Sequence, residues 1–167
     1  MRFAYADPPY PGCGHFYAEK HGVNHRVLIG TLCAEYPDGW ALSTNTPSLR
    51  EVLPLCPPNV RVMAWVKPFA SFKPGVGLAY AWEPVILFGG RRRERERGTV
   101  RDWFACSITL RRGFTGAKPE ALCFWLFEAL GCVPGDTLDD LFPGSGAVSS
   151  AWRAWNAQGR LPLRASS

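Results

Sequence analysis

Short apolar runs bounded by proline, glycine and aspartate alternate with helix-length segments along the whole chain of 167 residues. This alternation is typical of α/β proteins, in which the apolar runs form strands that helices cover on both faces of a sheet. No internal repeat interrupts the pattern, so we expect a single domain over residues 1–167. The predicted strands are Arg2 to Ala6, Trp40 to Ser43, Val60 to Val66, Pro84 to Phe88, Trp103 to Thr109 and Thr137 to Leu141.

The clearest predicted helix runs from Pro119 to Leu130. Proline is favoured at the first position of a helix, and Gly131 follows where a helix commonly ends. The segment is apolar nearly all round, so we expect it to lie buried against the sheet. The other predicted helices are Val27 to Tyr36, a short helix that starts at Pro47 behind a Thr46 cap, and Ala147 to Asn156.

Composition restricts the class of protein. Hydrophobic residues make up 47% of the chain and charged residues 20%, which is too apolar for a disordered chain, and no unbroken apolar run is long enough to span a membrane. The first predicted strand begins directly after Met1, which leaves no space for a signal peptide. The six cysteines occur singly without a CxxC pair, which favours reduced thiols. We therefore expect a soluble cytoplasmic protein with no membrane partner.

The tetrapeptide Asp7-Pro8-Pro9-Tyr10 follows directly after the first predicted strand. It combines a carboxylate, a rigid turn whose prolines offer carbonyls but no N–H, and a flat aromatic ring. These groups can together hold the exocyclic amino group of a nucleobase. We interpret the tetrapeptide as a candidate catalytic motif acting on such an amino group.

A second informative segment runs from Thr137 to Gly146, where a predicted strand leads into a small-residue turn and then a helix. Glycines let the backbone approach a ligand closely, and an acidic residue at the end of the strand can accept hydrogen bonds from a cationic amino group. A P-loop would require lysine and then serine or threonine after the last glycine, but Ala147-Val148 follow here. Taken alone, Gly144-Ser145-Gly146 is more often just a tight turn.

Three segments together resemble the S-adenosylmethionine (SAM)-dependent amino-methyltransferases that carry a DPPY or DPPW motif: Asp7 to Tyr10, Lys118-Pro119-Glu120 and Asp140 to Gly146. The order, with the catalytic motif first and the cofactor loop last, resembles the beta class of DNA adenine-N6 methyltransferases. It also resembles the small phage and bacterial relatives of the messenger-RNA adenosine methyltransferase. Trp65-Val66-Lys67 and Glu83-Pro84-Val85-Ile86 are similar to segments of that second group.

The resemblance implies a Rossmann-like fold with a mostly parallel sheet and helices on both faces. Few residues follow Gly146, which leaves open whether the sheet is one strand short at the C-terminal end. The usual ribose-binding acidic residue then lacks a counterpart. If Trp152 to Asn156 were extended, Trp155-Asn156 would resemble the Trp-Gly-Asn that contacts the ribose in the RNA-methylating relatives, although the segment also suits a helix.

The resemblance further implies transfer of a methyl group from SAM to N6 of adenine in DNA. Asp7 and the Pro8 carbonyl would accept hydrogen bonds from the target amino group, and Tyr10 would stack on a base turned out of its helix. Asp140 would contact the amino group of the methionine part of SAM, with Lys118 near its carboxylate, although a slip of one residue would select Asp139. The implied catalytic residues are Asp7, Pro8, Pro9 and Tyr10, and the implied cofactor-binding residues are Ala6, Asp7, Lys118, Asp140, Phe142, Pro143, Gly144 and Gly146.

The segment from Arg91 to Arg97 contains five arginines in seven positions, within a chain of net charge +5. Such a run suits a polyanionic partner, and a solvated loop with internal Arg–Glu pairing is the equal alternative. With Tyr10, this segment completes the predicted nucleic-acid-binding set: Tyr10, Arg91, Arg92, Arg93 and Arg95.

Several alternatives stay open at this point. Cytosine N4 or RNA adenosine are alternative targets, and a non-catalytic nucleic-acid-binding protein with the same fold is an alternative class. The chain has no space for a separate target-recognition domain, so a homodimer or a partner subunit is also open. We expect no metal: the four residues Cys13, His15, His21 and His25 include all three histidines, but their spacing matches no standard zinc site.

Overall fold

In a computed structural model of the protein, the described residues are 1–10, 22–68, 75, 77–108 and 118–157. Six strands form one sheet in the order β5-β3-β4-β2-β1-β6. Strand β1 pairs in parallel with both β2 and β6, and β3 pairs in parallel with β5, whereas β4 is antiparallel to its neighbours β2 and β3. The predicted mostly parallel α/β sheet is therefore confirmed. The strands are Arg2–Ala6 (β1), Gly39–Ser43 (β2), Arg61–Val66 (β3), Trp82–Gly89 (β4), Trp103–Ala105 (β5) and Thr137–Asp140 (β6).

Four α-helices cover this sheet. Helices α3 and α4 pack on one face, and α1 and α2 pack on the other, so that each face has its own cluster of buried apolar side chains. A 3-10 turn at Leu53–Leu55 directly follows α2. Within the described residues, no helix is both long and apolar enough to cross a membrane. The helices are His25–Glu35 (α1), Leu49–Val52 (α2), Glu120–Leu130 (α3) and Ala147–Ala157 (α4).

Strand β1 is apolar throughout because both of its faces are covered. Phe3 and Tyr5 point into the cluster under α3, and Ala4 and Ala6 point into the cluster under α1. All four side chains are at most 2% exposed. Burial on both faces explains why the run lacks the alternation of apolar and polar residues that a half-exposed strand shows.

Helix α3 is buried between the sheet and α4, as its apolar sequence predicts. The ring of Phe127 lies 5.1 Å from that of Trp152 and 5.4 Å from that of Trp155, in edge-on contacts between the two helices. At its end, Gly131 adopts the left-handed conformation, and its N–H bonds to the carbonyl of Glu128. Glycine suits this position because side chains disfavour a positive φ.

Two predicted boundaries are wrong for identifiable reasons. The predicted strand Trp103 to Thr109 ends at Ala105, because its partner β3 ends at Val66, which is the residue opposite Ala105. The short helix begins at Leu49 rather than Pro47, since the Asn45 side chain accepts a hydrogen bond from the N–H of Ser48 and holds a turn in front of the helix. Thr46 is therefore not the cap.

The segment after the glycine turn is a helix, since α4 runs to Ala157. The alternative that Trp152 to Asn156 forms an extended ribose-contacting segment is therefore wrong. Trp155 is instead buried against α3, with 1% of its surface exposed. Among the described strands, β6 is the last on its side of the sheet and pairs with β1 alone.

We predict that Gly131→Ala lowers the free energy of unfolding by about 1–3 kcal/mol, because it forces a side chain into a left-handed conformation. A Cβ at Gly131 would also lie 2.8 Å from Cβ of Arg91. The matched control is Gly135→Ala, where φ is also positive but a Cβ would meet nothing within 4 Å. Urea denaturation of both variants measures the difference, and equal losses would contradict a role for the contact with Arg91.

Candidate active site

The first and last predicted motifs meet at one edge of the sheet. Tyr5 and Asp140 are opposite each other in the parallel pair β1–β6, and the N–H of Leu141 bonds to the carbonyl of Tyr5 at 3.0 Å. Asp7 follows β1 at the same edge, two residues beyond Tyr5. Parallel strands bring their carboxyl ends together, which is where ligands bind in open α/β sheets.

Asp7 lies in a cluster of charged side chains. Its Oδ1 atom is 3.0 Å from Nζ of Lys118 and accepts a hydrogen bond from the Tyr10 hydroxyl at 3.3 Å. Only 8% of the Lys118 side chain is exposed. Burial alone would lower the pKa of Lys118, but the charge of Asp7, followed by the neighbouring Tyr5, Tyr10 and Glu83, outweighs burial and raises this pKa well above 10.5. Lys118 is therefore a cation at neutral pH.

Glu83 and Lys67 extend this cluster, and sequence reasoning did not assign them to the site. Oε2 of Glu83 lies 3.5 Å from Nζ of Lys118, and Oε1 pairs with Nζ of Lys67. Both ammonium groups also face the ring of Trp65, at 4.7 Å for Lys67 and 5.3 Å for Lys118. The sequence did carry a signal, since Lys67 directly follows one predicted strand and Glu83 directly precedes the next, but their meeting depends on the antiparallel pairing of β3 with β4.

Tyr10 is in its protonated form at neutral pH. Burial raises its pKa well above 10, and the charge of Asp7 adds to this shift. The phenol can therefore donate a hydrogen bond to the Asp7 carboxylate. Tyr5, which is buried beneath the site, bonds in a similar way to the hydroxyl of Ser43 at 2.7 Å.

The turn between β6 and α4 is built on two glycines with positive φ, Gly144 at +43° and Gly146 at +71°. The N–H of Gly146 bonds to the carbonyl of Pro143 at 2.6 Å, and the carbonyl of Gly146 accepts from Ser150 in the first turn of α4. A Cβ at Gly146 would meet nothing within 4 Å. Glycine is thus required here by the conformation of the backbone, and the space beside the turn is open.

Asp139 and Asp140 have different surroundings. Oδ2 of Asp139 accepts hydrogen bonds from Arg2 at 2.7 Å and from the Tyr36 hydroxyl at 2.9 Å. Oδ2 of Asp140 accepts from the Ser149 hydroxyl at 3.3 Å, but its Oδ1 is buried and has no donor among the described residues. Burial raises the pKa of Asp140 above its ordinary 3.8, with Asp7 contributing. The two carboxylates therefore differ: Oδ2 of Asp139 is held by Arg2 and Tyr36, whereas Oδ1 of Asp140 has no hydrogen-bond partner among the described residues.

The fold that carries these residues is similar to folds known from solved structures. The crystal structure of the M1.HpyAVI–SAM complex matches with a TM-score of 0.65 and 13% sequence identity, over 93% of this chain and 78% of that chain. The chain has a methyltransferase-like fold. A second crystal structure of M1.HpyAVI gives a TM-score of 0.58 at 16% identity, over 92% of this chain and 76% of that chain. No protein-family model matches the chain, and no curated protein matches it in sequence.

The residues at this edge suit the methionine part of SAM. An ammonium group would supply the donor that the buried Oδ1 of Asp140 lacks. Lys118 supplies a fixed positive charge that can compensate a carboxylate. The open backbone at Gly144 and Gly146 leaves space for the ligand beside the turn. Ala6 and Pro8 are buried next to Asp7, and Phe142 packs into the cluster under α1, so these three support the site from below.

The predicted nucleic-acid-binding set is divided between opposite edges of the sheet. Gly89 at the end of β4 is opposite Gly39 at the start of β2, so the arginine run follows β4 at the edge where the parallel strands begin. Tyr10 lies at the edge where they end. A strand of five residues such as β2 spans about 15 Å, so Tyr10 and the arginines lie about that far apart along the strands, at opposite ends of the sheet.

Two of the arginines bind their own chain. The Arg91 guanidinium donates to both carboxylate oxygens of Asp136, at 2.7 and 2.8 Å, and to the carbonyl of Gly131. Arg93 donates to the Glu128 carboxylate at 3.0 Å and to the carbonyls of Gly98 and Arg97. Arg92 and Arg95, in contrast, are exposed. The run is therefore anchored at the end of α3 through Arg91 and Arg93, and Arg93 also bonds to the backbone of Arg97 within the run.

Within the described ranges, no group of three or more histidine, cysteine or acidic side chains could hold a metal ion. Three of the four candidate ligands, Cys13, His15 and His21, lie outside the described residues. His25 begins α1, where its Nδ1 faces the carbonyl of Val23 at 3.0 Å and its side chain is buried.

We predict a coupling of about 1–3 kcal/mol between Asp7 and Lys118 in a double-mutant cycle on the free energy of unfolding, because the two charges are in contact and Lys118 is buried. The cycle uses Asp7→Asn, Lys118→Met and the double variant, measured by urea denaturation. The control cycle uses Arg50 and Glu51, an exposed pair at 3.9 Å, where we expect about 0–0.5 kcal/mol. A coupling at Asp7 and Lys118 no larger than in the control would contradict this account.

Proposed function

We propose that this protein is a SAM-dependent methyltransferase that transfers a methyl group to N6 of adenine in DNA. The observation that carries the proposal is the meeting of Asp7 and Asp140 at the carboxyl ends of two adjacent parallel strands, with Lys118 in contact with Asp7. Under this proposal, Asp7 orients an amino group of the substrate and Asp140 binds an amino group of the cofactor. The methyltransferase-like fold and the resemblance of the three sequence motifs support this division.

On the cofactor side, Asp140 accepts hydrogen bonds from the ammonium group of the methionine part, and Lys118 compensates its carboxylate. Gly144 and Gly146 give the backbone its close approach, with Phe142 and Pro143 completing the turn. When bound, SAM supplies a methyl group on a sulfonium centre. No base or metal is needed to make that methyl group reactive.

On the substrate side, Asp7 and the carbonyl of Pro8 accept hydrogen bonds from the target amino group and orient its nitrogen lone pair. Pro9 fixes the turn that presents Tyr10 beside Asp7. Tyr10 stacks on a base that has left its helix, and stacking of about 1–3 kcal/mol offsets much of the few kcal/mol that extrusion costs. Positioning of the two reacting groups is the main contribution of the chain to catalysis.

Cytosine N4 and adenine N6 are both exocyclic amino groups, and RNA presents the same adenine edge as DNA. The contacts of Asp7, Pro8 and Tyr10 suit each of them, so the choice of adenine in DNA rests on the sequence resemblance. Arg92 and Arg95 lie beyond the opposite edge of the sheet, and under this proposal they contact phosphates away from the target base.

We predict that wild-type protein incubated with SAM and unmethylated DNA produces N6-methyladenine, measured by nucleoside mass spectrometry. Asp7→Asn removes the charged acceptor and should lower the rate at least about 100-fold, by analogy with loss of one oriented polar group in other active sites. Tyr10→Phe keeps the stacking ring and should keep most of the activity, whereas Tyr10→Ala should lose most of it.

The same assay includes RNA and a cytosine-rich DNA, so that N4-methylcytosine or methylated RNA would correct the substrate while keeping the reaction. Equal activity of Tyr10→Ala and wild type would remove the stacking role. No methylated base on any substrate, together with no binding of SAM, would favour the non-catalytic alternative.

We predict that the affinity for SAM falls as the pH decreases through the pKa of Asp140, because only the ionised carboxylate accepts from an ammonium group on both oxygens. That pKa is raised above 3.8, so the loss should begin at a higher pH than for an ordinary aspartate. Isothermal titration calorimetry across this range should give weak, nearly pH-independent binding for Asp140→Asn. The matched control, Asp139→Asn, should bind like wild type, and the reverse ranking would assign the role to Asp139.

A further inference from the structure

Large hydrophobic side chains that are exposed to solvent concentrate in one part of the chain. Among the described residues seven are more than a third exposed, and five of them fall between residues 78 and 108. Trp82 is 38% exposed and Trp103 is 46% exposed. Single exposed apolar residues are normal, but exposed apolar residues that cluster in one patch mark interaction sites. The five are Leu78, Tyr80, Trp82, Trp103 and Ile108.

Trp82 and Trp103 lie on the same face of the sheet. Val66 of β3 is opposite Trp82 of β4, and Ala64, two residues earlier in β3, is opposite Trp103 of β5. Residues that are opposite each other in a ladder, and residues two apart along a strand, share one face. From the strand spacings, the two tryptophan Cα atoms are about 12 Å apart.

No helix of the described residues covers this part of the sheet. Neither buried cluster includes Ala64 or Val66, although α1 and α2 cover β1, β2 and the middle of β4 on the same face. Trp65 and Phe104, which point the other way, do pack under α3. We call the surface formed by Ala64, Val66, Trp82, Trp103 and Ala105 the tryptophan face.

The tryptophan face reaches the edge of the sheet that carries the candidate active site. Trp82 directly precedes Glu83, which contacts Lys118, and Val66 directly precedes Lys67. At its far side, the guanidinium of Arg101 lies 5.6 Å from the ring centroid of Trp103, and Arg101 is exposed. The face therefore runs from the site to β5, the last strand on that side of the described sheet, and ends at the guanidinium of Arg101.

An exposed aromatic surface suits either a second copy of this chain or a nucleic-acid strand, and the charge of the protein distinguishes the two. A second copy of this chain would bring together two molecules of net charge +5 and would bury the Arg101 guanidinium. A nucleic-acid strand is attracted by the same charge, offers bases that stack on indole rings, and offers phosphates to Arg101. The nucleic-acid strand is the better fit.

We propose that the tryptophan face binds the unpaired nucleotides next to the target base, with bases stacked on Trp82 and Trp103 and a phosphate on Arg101. The proposal rests on the proposed function for its orientation, because the strand would enter from the candidate active site. It assigns recognition of the substrate strand to the sheet itself, at a place that the sequence motifs did not indicate.

The test measures binding of a fluorescently labelled single-stranded DNA by anisotropy, without SAM. Trp82→Ala and Trp103→Ala should each weaken binding between about fivefold and a hundredfold, and Trp103→Phe should weaken it less because it keeps a ring. The control is Val27→Ala, an exposed apolar side chain of α1 that is 62% exposed. Arg101→Gln should flatten the logarithmic salt dependence by about 0.7, whereas Arg26→Gln on α1 should not.

Unchanged affinity in both tryptophan variants would overturn the proposal. So would a wild-type dimer, seen by sedimentation, that Trp103→Ala converts into monomers with full affinity for DNA, since the face would then bind a second copy. Repeating the titrations in an Asp7→Asn background, beside the methylation assay of the wild-type protein, separates this proposal from the enzymatic one. DNA binding that depends on the tryptophans, with no methylated base in the assay, would support the tryptophan face and contradict the proposed enzyme. Methylated bases in the assay, with DNA binding that does not depend on the tryptophans, would support the enzyme and overturn the tryptophan face.

Discussion

The parallel pairing of β1 between β2 and β6 determines where every other part of the candidate site lies. It sets the end of the first strand beside the end of the last one, although these segments are far apart in the chain. Its register is held by Asp139, which binds Arg2 and Tyr36 on the face away from α3. A slip of one residue would turn Asp139 toward the site and Asp140 away from it. The bonds of Asp139 to Arg2 and Tyr36 thus fit the register that turns Asp140 toward the candidate site.

Helix α3 provides the apolar, low-dielectric surroundings in which the charged side chains of the candidate site lie. Its apolar side chains are buried against the sheet and α4, and Lys118 precedes its first turn at the edge of that core. An ammonium group buried there requires carboxylates around it, because an unpaired charge would be costly. Asp7, which follows β1, and Glu83 of β4 meet that requirement. One cation thus connects the candidate catalytic motif, the helix and the sheet.

The parts that the sequence predicted are those that depend on local chemistry. The apolar run of β1, the proline and glycine that bound α3, and the turn at Gly144 follow from steric and capping preferences of neighbouring residues. The pairing of Lys67 with Glu83 was not predictable, because it depends on which strands are neighbours. The separation of the arginine run from Tyr10 was not predictable either, because it also depends on strand pairing. An apolar run predicts that β4 exists, but not that β4 runs opposite to β1 and carries the arginines to the other edge.

The charges at the site also bear on how ligands would enter and leave it. The carboxylates of Asp7 and Glu83 face the ammonium groups of Lys67 and Lys118, and Asp140 adds a third carboxylate, so one negative charge is not compensated among these five side chains. Oδ1 of Asp140 is buried without a hydrogen-bond donor among the described residues, and so is Oε2 of Glu83, although Nζ of Lys118 lies 3.5 Å from it. Under the proposed function, SAM carries one net positive charge and restores the balance, whereas its demethylated product is neutral and does not. The electrostatics of the cluster therefore favour the methyl donor over the product, because burial strengthens the interaction that distinguishes them.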